Sequence, residues 1–279
     1  MQRFFLALFF TLGVLWPVLA PNGNPAGAQG LNFKSGDSED PIEIFADDGI
    51  EWQQEALIFV ARGNAKAVRG NVEVYGDLLR AFYRKTPSGG TDIWRLDAIG
   101  KVKLFSSGMK SYGEKAVYDI DNAILVLSGG KKVRFITDTD IITAKKQIEY
   151  WEKKQMAVAR GDAAATRGDK SIRADVLTAH FQKTKKGKTQ VYRIEAFANV
   201  RIITPKEKVY SDRAVYNVNS GVATLAGSVK IIREGNRLVG CSAEVNMNTG
   251  VSKLFSCPQA VQGGKRVRGS FKTRSGKKK

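Results

Sequence analysis

The chain has 279 residues, 43% of them hydrophobic, and a formal net charge of +18. That length and apolar content support a sizeable core and exclude an intrinsically disordered protein. A single histidine, two cysteines and no C-x-x-C exclude a His/Cys metal centre, and the basic balance points to polyanions as partners.

Residues 1–28 read as a secretory signal peptide. Arg3 precedes an apolar run, Phe4–Ala20, that Gly13 and Pro17 interrupt, and Ala26-Gly27-Ala28 supplies a cleavage site. A run of about 17 residues is short of the roughly 20 that a spanning helix needs. Cleavage after Ala28 would export the mature chain; retention would anchor it. Residues 29–40 read as a flexible lead-in.

Residues 41–261 repeat themselves. Shifted by 98 positions without a gap, Ala46–Gly129 lies on Ala144–Gly227, and about a third of the positions are identical. Self-similarity at a fixed period marks a stacked array, which presents one long surface rather than a point of chemistry. Small residues recur at Gly63, Gly100, Gly129, Gly161, Ala198, Gly227 and Ser256, and are predicted to mark strand ends. Between them stand short runs of Val, Ile and Tyr bounded by Asn, Gly and Asp. Ala214–Val218, Asn219-Ser220-Gly221 and Val222–Ile232 read as strand, turn and returning strand. No helical periodicity stands beyond the first 20 residues; Lys145–Ala157 is the weakest strand segment.

Alternation along these strands separates two faces. Leu96, Ala98, Val102 and Leu104 alternate with Arg95, Asp97, Lys101 and Lys103. In the second copy Ile194, Ala196, Val200 and Ile202 alternate with Arg193, Glu195, Asn199 and Arg201. Leu125, Leu127, Val133 and Phe135 fall on Ala223, Leu225, Ile231 and Arg233, and the last breaks the pattern. With Val60, Val158 and Val229, these apolar positions are assigned to the interior. Residues alone leave two readings: a lipid groove, or an ordinary closed core.

The last hairpin, 240–258, is centred on Thr249, which sets Cys241 opposite Cys257. That spacing suits a disulfide in an oxidising compartment; two buried thiols are the alternative. Residues 262–279 form a basic tail expected to lack structure. Its Lys265, Arg266, Arg268, Lys272, Arg274, Lys277, Lys278 and Lys279 read either as a solubilising end or as a contact for anionic head groups or membrane.

Catalytic signatures are missing: no G-x-S-x-G, H-E-x-x-H or P-loop stands in the chain. His180 falls on Phe82 and reads as structural. Asp138 and Asp140 fall on Asn236 and Leu238 and read as loop charges. Trp52 and Trp94 fall on Tyr150 and Tyr192 and, like Trp151, read as packing residues. Among carboxylates the copies share Glu51/Glu149 and Asp77/Asp175. No enzyme activity, cofactor or nucleic-acid partner is expected.

Three groups of residues carry a family resemblance. They are Asp212-Arg213-Ala214-Val215-Tyr216, the run Gly221–Gly227 with Val229-Lys230-Ile231, and the copy Lys115-Ala116-Val117-Tyr118 with Leu125–Gly129. Val60–Ala65 adds an opening step. This pattern resembles the OstA-like (LptA) family. The resemblance implies an all-β, open, V-shaped β-jelly roll of stacked antiparallel strands. It further implies a periplasmic location and lipopolysaccharide, held by its lipid A acyl chains, as cargo. Inner-membrane LptC-like and outer-membrane LptD-like proteins would be partners through edge-strand pairing, with a head-to-tail homo-oligomer possible. A strand-pairing adapter without lipid cargo is the alternative. The chain's length and its basic tail depart from a minimal family member.

Overall fold

A computed structural model of the protein describes residues 42–87, 89–106, 109–137, 140–183, 189–258 and 266–272. The expected signal peptide and lead-in, Asp138, and tail residues Lys265, Arg274 and Lys277–Lys279 lie outside the described residues.

The described residues are almost entirely strand. In chain order these are β1 (Glu43–Phe45), β2 (Gly49–Gln53), β3 (Ile58–Arg69), β4 (Val72–Lys85), β5 (Thr91–Ser106) and β6 (Met109–Asp119). There follow β7 (Ile124–Ser128), β8 (Val133–Thr137), β9 (Ile141–Ala144), β10 (Gln147–Trp151), β11 (Met156–Arg167) and β12 (Lys170–Lys183). Last come β13 (Thr189–Ile203), β14 (Glu207–Asn217), β15 (Val222–Arg233), β16 (Asn236–Asn246), β17 (Ser252–Phe255) and β18 (Arg268–Ser270). A single 3-10 turn, Glu152–Lys154, interrupts them.

Every pairing is antiparallel, and neighbours in sequence are neighbours in space: β3 to β6 and β11 to β16 each pair in order. Four rungs are split into two short strands. β1 and β2 share β3, β7 and β8 share β6, β9 and β10 share β11, and β17 and β18 share β16. The result is a stack of fourteen rungs. At the ordinary strand spacing it is roughly 60 Å long.

Gly129 and Ser256 follow the ends of β7 and β17, as their spacing suggested; the other five small residues instead turn strands at their midpoints. The registers slip between Arg62 and Ala65, Ile99 and Val102, Arg160 and Ala163, Phe197 and Val200, and Ala226 and Val229. At each slip two residues adopt positive φ: Gly63-Asn64, Gly100-Lys101, Gly161-Asp162, Ala198-Asn199 and Gly227-Ser228. Such two-residue bulges bend a strand sharply while its ladder resumes beyond. Glycine is required where the neighbouring rung crowds the corner: a Cβ on Gly227 would run into the Asp212 side chain. Each rung therefore serves two arms, one on either side of a crease.

Strand starts recur 98 residues apart: Ile58 and Met156, Val72 and Lys170, Met109 and Glu207, Ile124 and Val222. The gapless match stops at Gly129. There the first copy inserts two residues, Gly129-Gly130-Lys131-Lys132 against Gly227-Ser228, and β7 and β8 separate where β15 runs through. Val133 consequently takes the place of Val229, not Ile231. Phe135, opposite Ser111, takes the place of Ile231, opposite Val209. The apparent clash of Phe135 with Arg233 is an artefact of the ungapped alignment.

The core lies between the arms. On the first arm one cross-strand row runs Ile50, Ala61, Leu79, Ala98, Ala116, Leu127, Ile148, and continues Ala159, Leu177, Ala196, Ala214, Leu225, Ala243, Leu254. Opposed to it on the second arm are Leu104, Phe135, Ile142, Ile172, Ile202, Val209 and Ile231, and the two arms form one buried cluster. Alanine alternating with leucine lets facing rows interdigitate.

The tail departs from its expectation. Arg268–Ser270 is strand β18, with Val239 opposite Arg268 and Leu238 opposite Gly269.

Candidate functional site

The interior between the arms is the largest continuous apolar feature of the described residues. Of the residues assigned to it, Val102, Leu104, Leu125, Leu127, Val133, Val200, Leu225, Val229 and Ile231 are buried in the shared cluster. Leu96 and Ile202 are half-buried against it. Ile194 stands on the interior side of its strand, between Ala179 and Tyr216, and is half-buried.

Val60 and Val158 are corrections. Val60 is registered with Glu51 and Arg80, and Val158 with Glu149 and Thr178, so both stand on the charged outer face. Their neighbours Ala61 and Ala159 point inward instead. Strand parity decides this: one residue along a strand reverses the face. Both valines are nevertheless buried, under the long charged side chains of that face.

The interior is closed along most of its length and open at its first end. A cavity of about 40 Å³, lined by Ile44, Ala61, Leu79, Leu96, Leu104 and Leu125 among others, lies in the first copy. This is close to the room of one water molecule. At the first end of the stack Ile50 and Trp52, which head the two interior rows of the first arm, are 51% and 58% exposed. At the other end the interior residue Leu254 is half-buried against the cluster, and the half-exposed Phe255 and Val251 stand on the outer face. The apolar interior thus breaks surface at the first end, and β2 and β17 each have one strand partner among the described residues.

Polar groups mark the rims. On the first-arm rim Glu152 accepts a hydrogen bond from the Tyr118 hydroxyl at 3.3 Å. Burial pushes its carboxyl up to about 7, against the pull of that bond, and raises Tyr150 beside it to about 12. On the second-arm rim Glu207 accepts from Arg233 at 2.6 Å. No cluster of His, Cys, Asp and Glu among the described residues suits a metal.

The remaining sequence candidates do not converge. Glu51 and Glu149 lie on the outer face, paired with Arg62 at 3.2 Å and Arg160 at 2.6 Å. Burial pushes Glu149 up, but donors from Arg160, Gln147 and Trp151 bring it below its ordinary value. Asp77 and Asp175 stand at the crease, beside Lys101 and Asn199. His180 is on the outer face, 3.3 Å from Glu195 and tilted against Tyr192; Phe82 sits likewise against Trp94 in the first copy.

Cys241 and Cys257 are joined by a disulfide. The register is one residue off the expected centre: Ser242 faces Phe255, which sets Cys241 beside Ser256, and the bond reaches the residue after it. The rim charges Glu152 and Glu207 went unnoticed in the sequence; the signal for Glu207 was its replacement of Met109 at the repeat offset.

No helix among the described residues is long and apolar enough to cross a membrane. The structure of LptH, the LptA-homologous periplasmic component of the lipopolysaccharide transport device of Pseudomonas aeruginosa, matches with a TM-score of 0.42. That match has 18% identity and covers 48% of this chain and 95% of that one. An uncharacterized protein of Rhizobium meliloti (strain 1021) is 29% identical over 109 residues, 38% of this chain and 56% of that relative's length. The family model described as LptA/(LptD N-terminal domain) LPS transport protein matches twice, at residues 43–155 and 141–251. Together the two matches span 43–251, well over half of the 279 residues, and they begin 98 residues apart, like the copies themselves. The chain therefore belongs to the LptA/LptD N-terminal-domain family of lipopolysaccharide transport proteins.

Proposed function

We propose that the protein is a periplasmic bridge that carries lipopolysaccharide by its acyl chains between the two arms and passes it from an inner-membrane complex to an outer-membrane translocon. The observation that carries this reading is the apolar interior, continuous over fourteen rungs and surfacing at the first end. Burying an acyl chain yields about 0.8 kcal/mol per CH₂, so a chain of about a dozen carbons gains on the order of 10 kcal/mol. Passage through water is then prohibitive, whereas similar rungs offer stations of similar depth along which the chain slides.

The cavity of about 40 Å³ adds a condition: cargo enters only as the arms part, exchanging arm-to-arm contacts for lipid contacts. Exposed end rungs suit β-augmentation, in which a partner's edge strand extends the stack and its interior together. LptC-like and LptD-like partners, or a second copy placed head to tail, would dock in this way.

The same closed interior favours a second reading, an adapter that pairs strands and carries no lipid. Photo-crosslinkable residues at Leu104, Leu127 and Ile202, with Lys103 as the outward control, separate the two. Adducts with lipopolysaccharide at the three inward sites alone support the bridge. Absence of adducts in folded protein supports the adapter.

A further inference from the structure

The outer face of the second arm carries cations that the chain leaves unneutralised. The registers set Lys66, Tyr75, Lys103, Tyr112 and Arg134 side by side on successive rungs. After two uncharged rungs, Thr143 and Ala164, the file continues in the second copy with Arg173, Arg201, Tyr210 and Lys230, and beyond Val239 Arg268 closes it. A parallel file two residues along adds Lys110, Lys208 and Arg237. Against these ten cations the two files hold two carboxylates, Glu43 and Glu73. Lys66 pairs with Glu73 at 3.0 Å and Arg173 with Asp162 at 3.3 Å. Among the described residues the other eight reach no carboxylate.

The outer face of the first arm is different. Arg62, Arg95, Arg160 and Arg193 there each hold a carboxylate at 3.2, 2.7, 2.6 and 2.7 Å. Arg80, Lys115, Arg213 and Lys253 add cations to that face, but six carboxylates, Glu51, Asp97, Asp119, Glu149, Glu195 and Glu244, stand with them. The excess charge is therefore concentrated on the second arm, and its form is a line. Cations separated by a tyrosine rung stand roughly 10 Å apart. They are also held in place: Lys66 lies over the Tyr75 ring at 5.2 Å, Arg134 over Tyr112 at 5.0 Å and Lys230 over Tyr210 at 4.4 Å.

We infer that this file is a track for a linear anionic glycan, a sugar polymer bearing phosphate or carboxylate groups. Sheets twist with a fixed hand, so a file crossing thirteen rungs winds around the stack. A flat bilayer meets a few rungs of such a file, whereas a flexible chain follows all of it. Cations cover Tyr75, Tyr112 and Tyr210, and the exposed ring of the file, Phe45, stands beside Lys66 at its first end; one ring at one end is a poor platform for successive bases, which disfavours single-stranded nucleic acid. The track is separate from the interior and does not rest on lipid transport.

The test uses the full chain and a labelled oligo-uronate about a dozen sugars long, to match the roughly 60 Å file. A neutral dextran of equal length and an oligonucleotide of equal charge serve as comparisons. The uronate is expected to bind. If about five cations engage, its affinity falls roughly 100-fold between 50 and 200 mM salt. The quadruple variant Lys103→Glu, Arg134→Glu, Arg201→Glu, Lys230→Glu is expected to lose about 100-fold or more at low salt. The equal change on the other outer face, Arg80→Glu, Lys115→Glu, Arg213→Glu, Lys253→Glu, should lose under about tenfold. Circular dichroism confirms that each variant is folded. Equal losses in both variants, dextran binding as strong as the uronate's, tighter binding of the oligonucleotide, or no uronate binding by folded protein would each overturn the assignment.

Discussion

The two copies agree in the core and at most corners, differ at the corner after Gly129, and part company at the rim of the second arm. Leu127 and Leu225, at equivalent places, are both 1% exposed. At the rim, Val72 and Met109 of the first copy are buried hydrophobics, whereas Lys170 is exposed and Glu207 is buried against Arg233 in the second. Met109 faces Thr137 across its rung; Glu207 faces Arg233. The lesson is a division of labour. Corners and core rows set the fold and tolerate little change, because small volume errors inside a packed core are costly. The rim is free to become polar, so an apolar cargo would find a more uniform wall in the first half of the stack than in the second.

The largest expected effect probes the equivalence itself. Leu127→Ala and Leu225→Ala should each lower the unfolding free energy by about 3 kcal/mol, as buried leucines do. Urea denaturation measures it; a cost under about 1 kcal/mol for one of them would mean that the two cores are not alike. Next is the disulfide, which only the second end possesses. Cys241→Ser with Cys257→Ser should cost about 3 kcal/mol, the closure entropy of a loop of this size, and protease sensitivity should rise around β17 before any change in the first copy.

The rim difference is broken by removing its charges in two steps. Arg233→Leu alone strands a buried carboxylate and should cost about 2 kcal/mol, less than a fully buried pair because Arg233 is partly exposed. Adding Glu207→Met restores an apolar rim like Met109's and should recover that loss, since apolar replacements of buried ion pairs are commonly neutral or better. If the double variant stays as unstable as the single one, the ion pair specifies the rim rather than merely tolerating it.

The smallest effect is on pH. The place of Glu152 in the first copy belongs to Gln54, which is exposed at the end of the stack. Burial raises the Glu152 carboxyl from its ordinary 4.5 to about 7. The folded state therefore binds this proton more tightly than the unfolded chain. The associated stability is complete below about pH 4.5 and is lost as pH rises to about 7. Glu152→Gln should then gain about 1 kcal/mol at pH 8, discounted for partial exposure, and little at pH 4. Parallel urea titrations at the two pH values check the sign; a gain that is the same at both would assign the effect to something other than this proton.

Much of the fold was legible in the chain because a repeat states its own architecture. Alternation gave the faces of Leu96 to Leu104 and of Ile194 to Ile202, and the offset of 98 gave the strand starts. What misled was local. Gly63 and its counterparts read as strand ends because glycine interrupts β patterns, and a bulge that turns a strand and one that ends it carry the same residues. Val60 and Val158 read as interior because valine suits either face of a strand; only the register, one residue from Ala61 and Ala159, assigns the side. The two-residue insertion after Gly129 was invisible to an ungapped comparison.

By itself, then, the sequence determined an all-β repeat, the inward face of most strands, the placing of the two cysteines across one hairpin and the family resemblance. Those properties depend on side-chain periodicity and local turn chemistry, which are written residue by residue. Tertiary structure alone decided that the rungs bend into two arms around a common interior, that this interior is closed in the middle and open at its first end, and that lysines and arginines far apart in the chain line up as one charged file. These are consequences of register between strands many residues apart, and no single segment contains them.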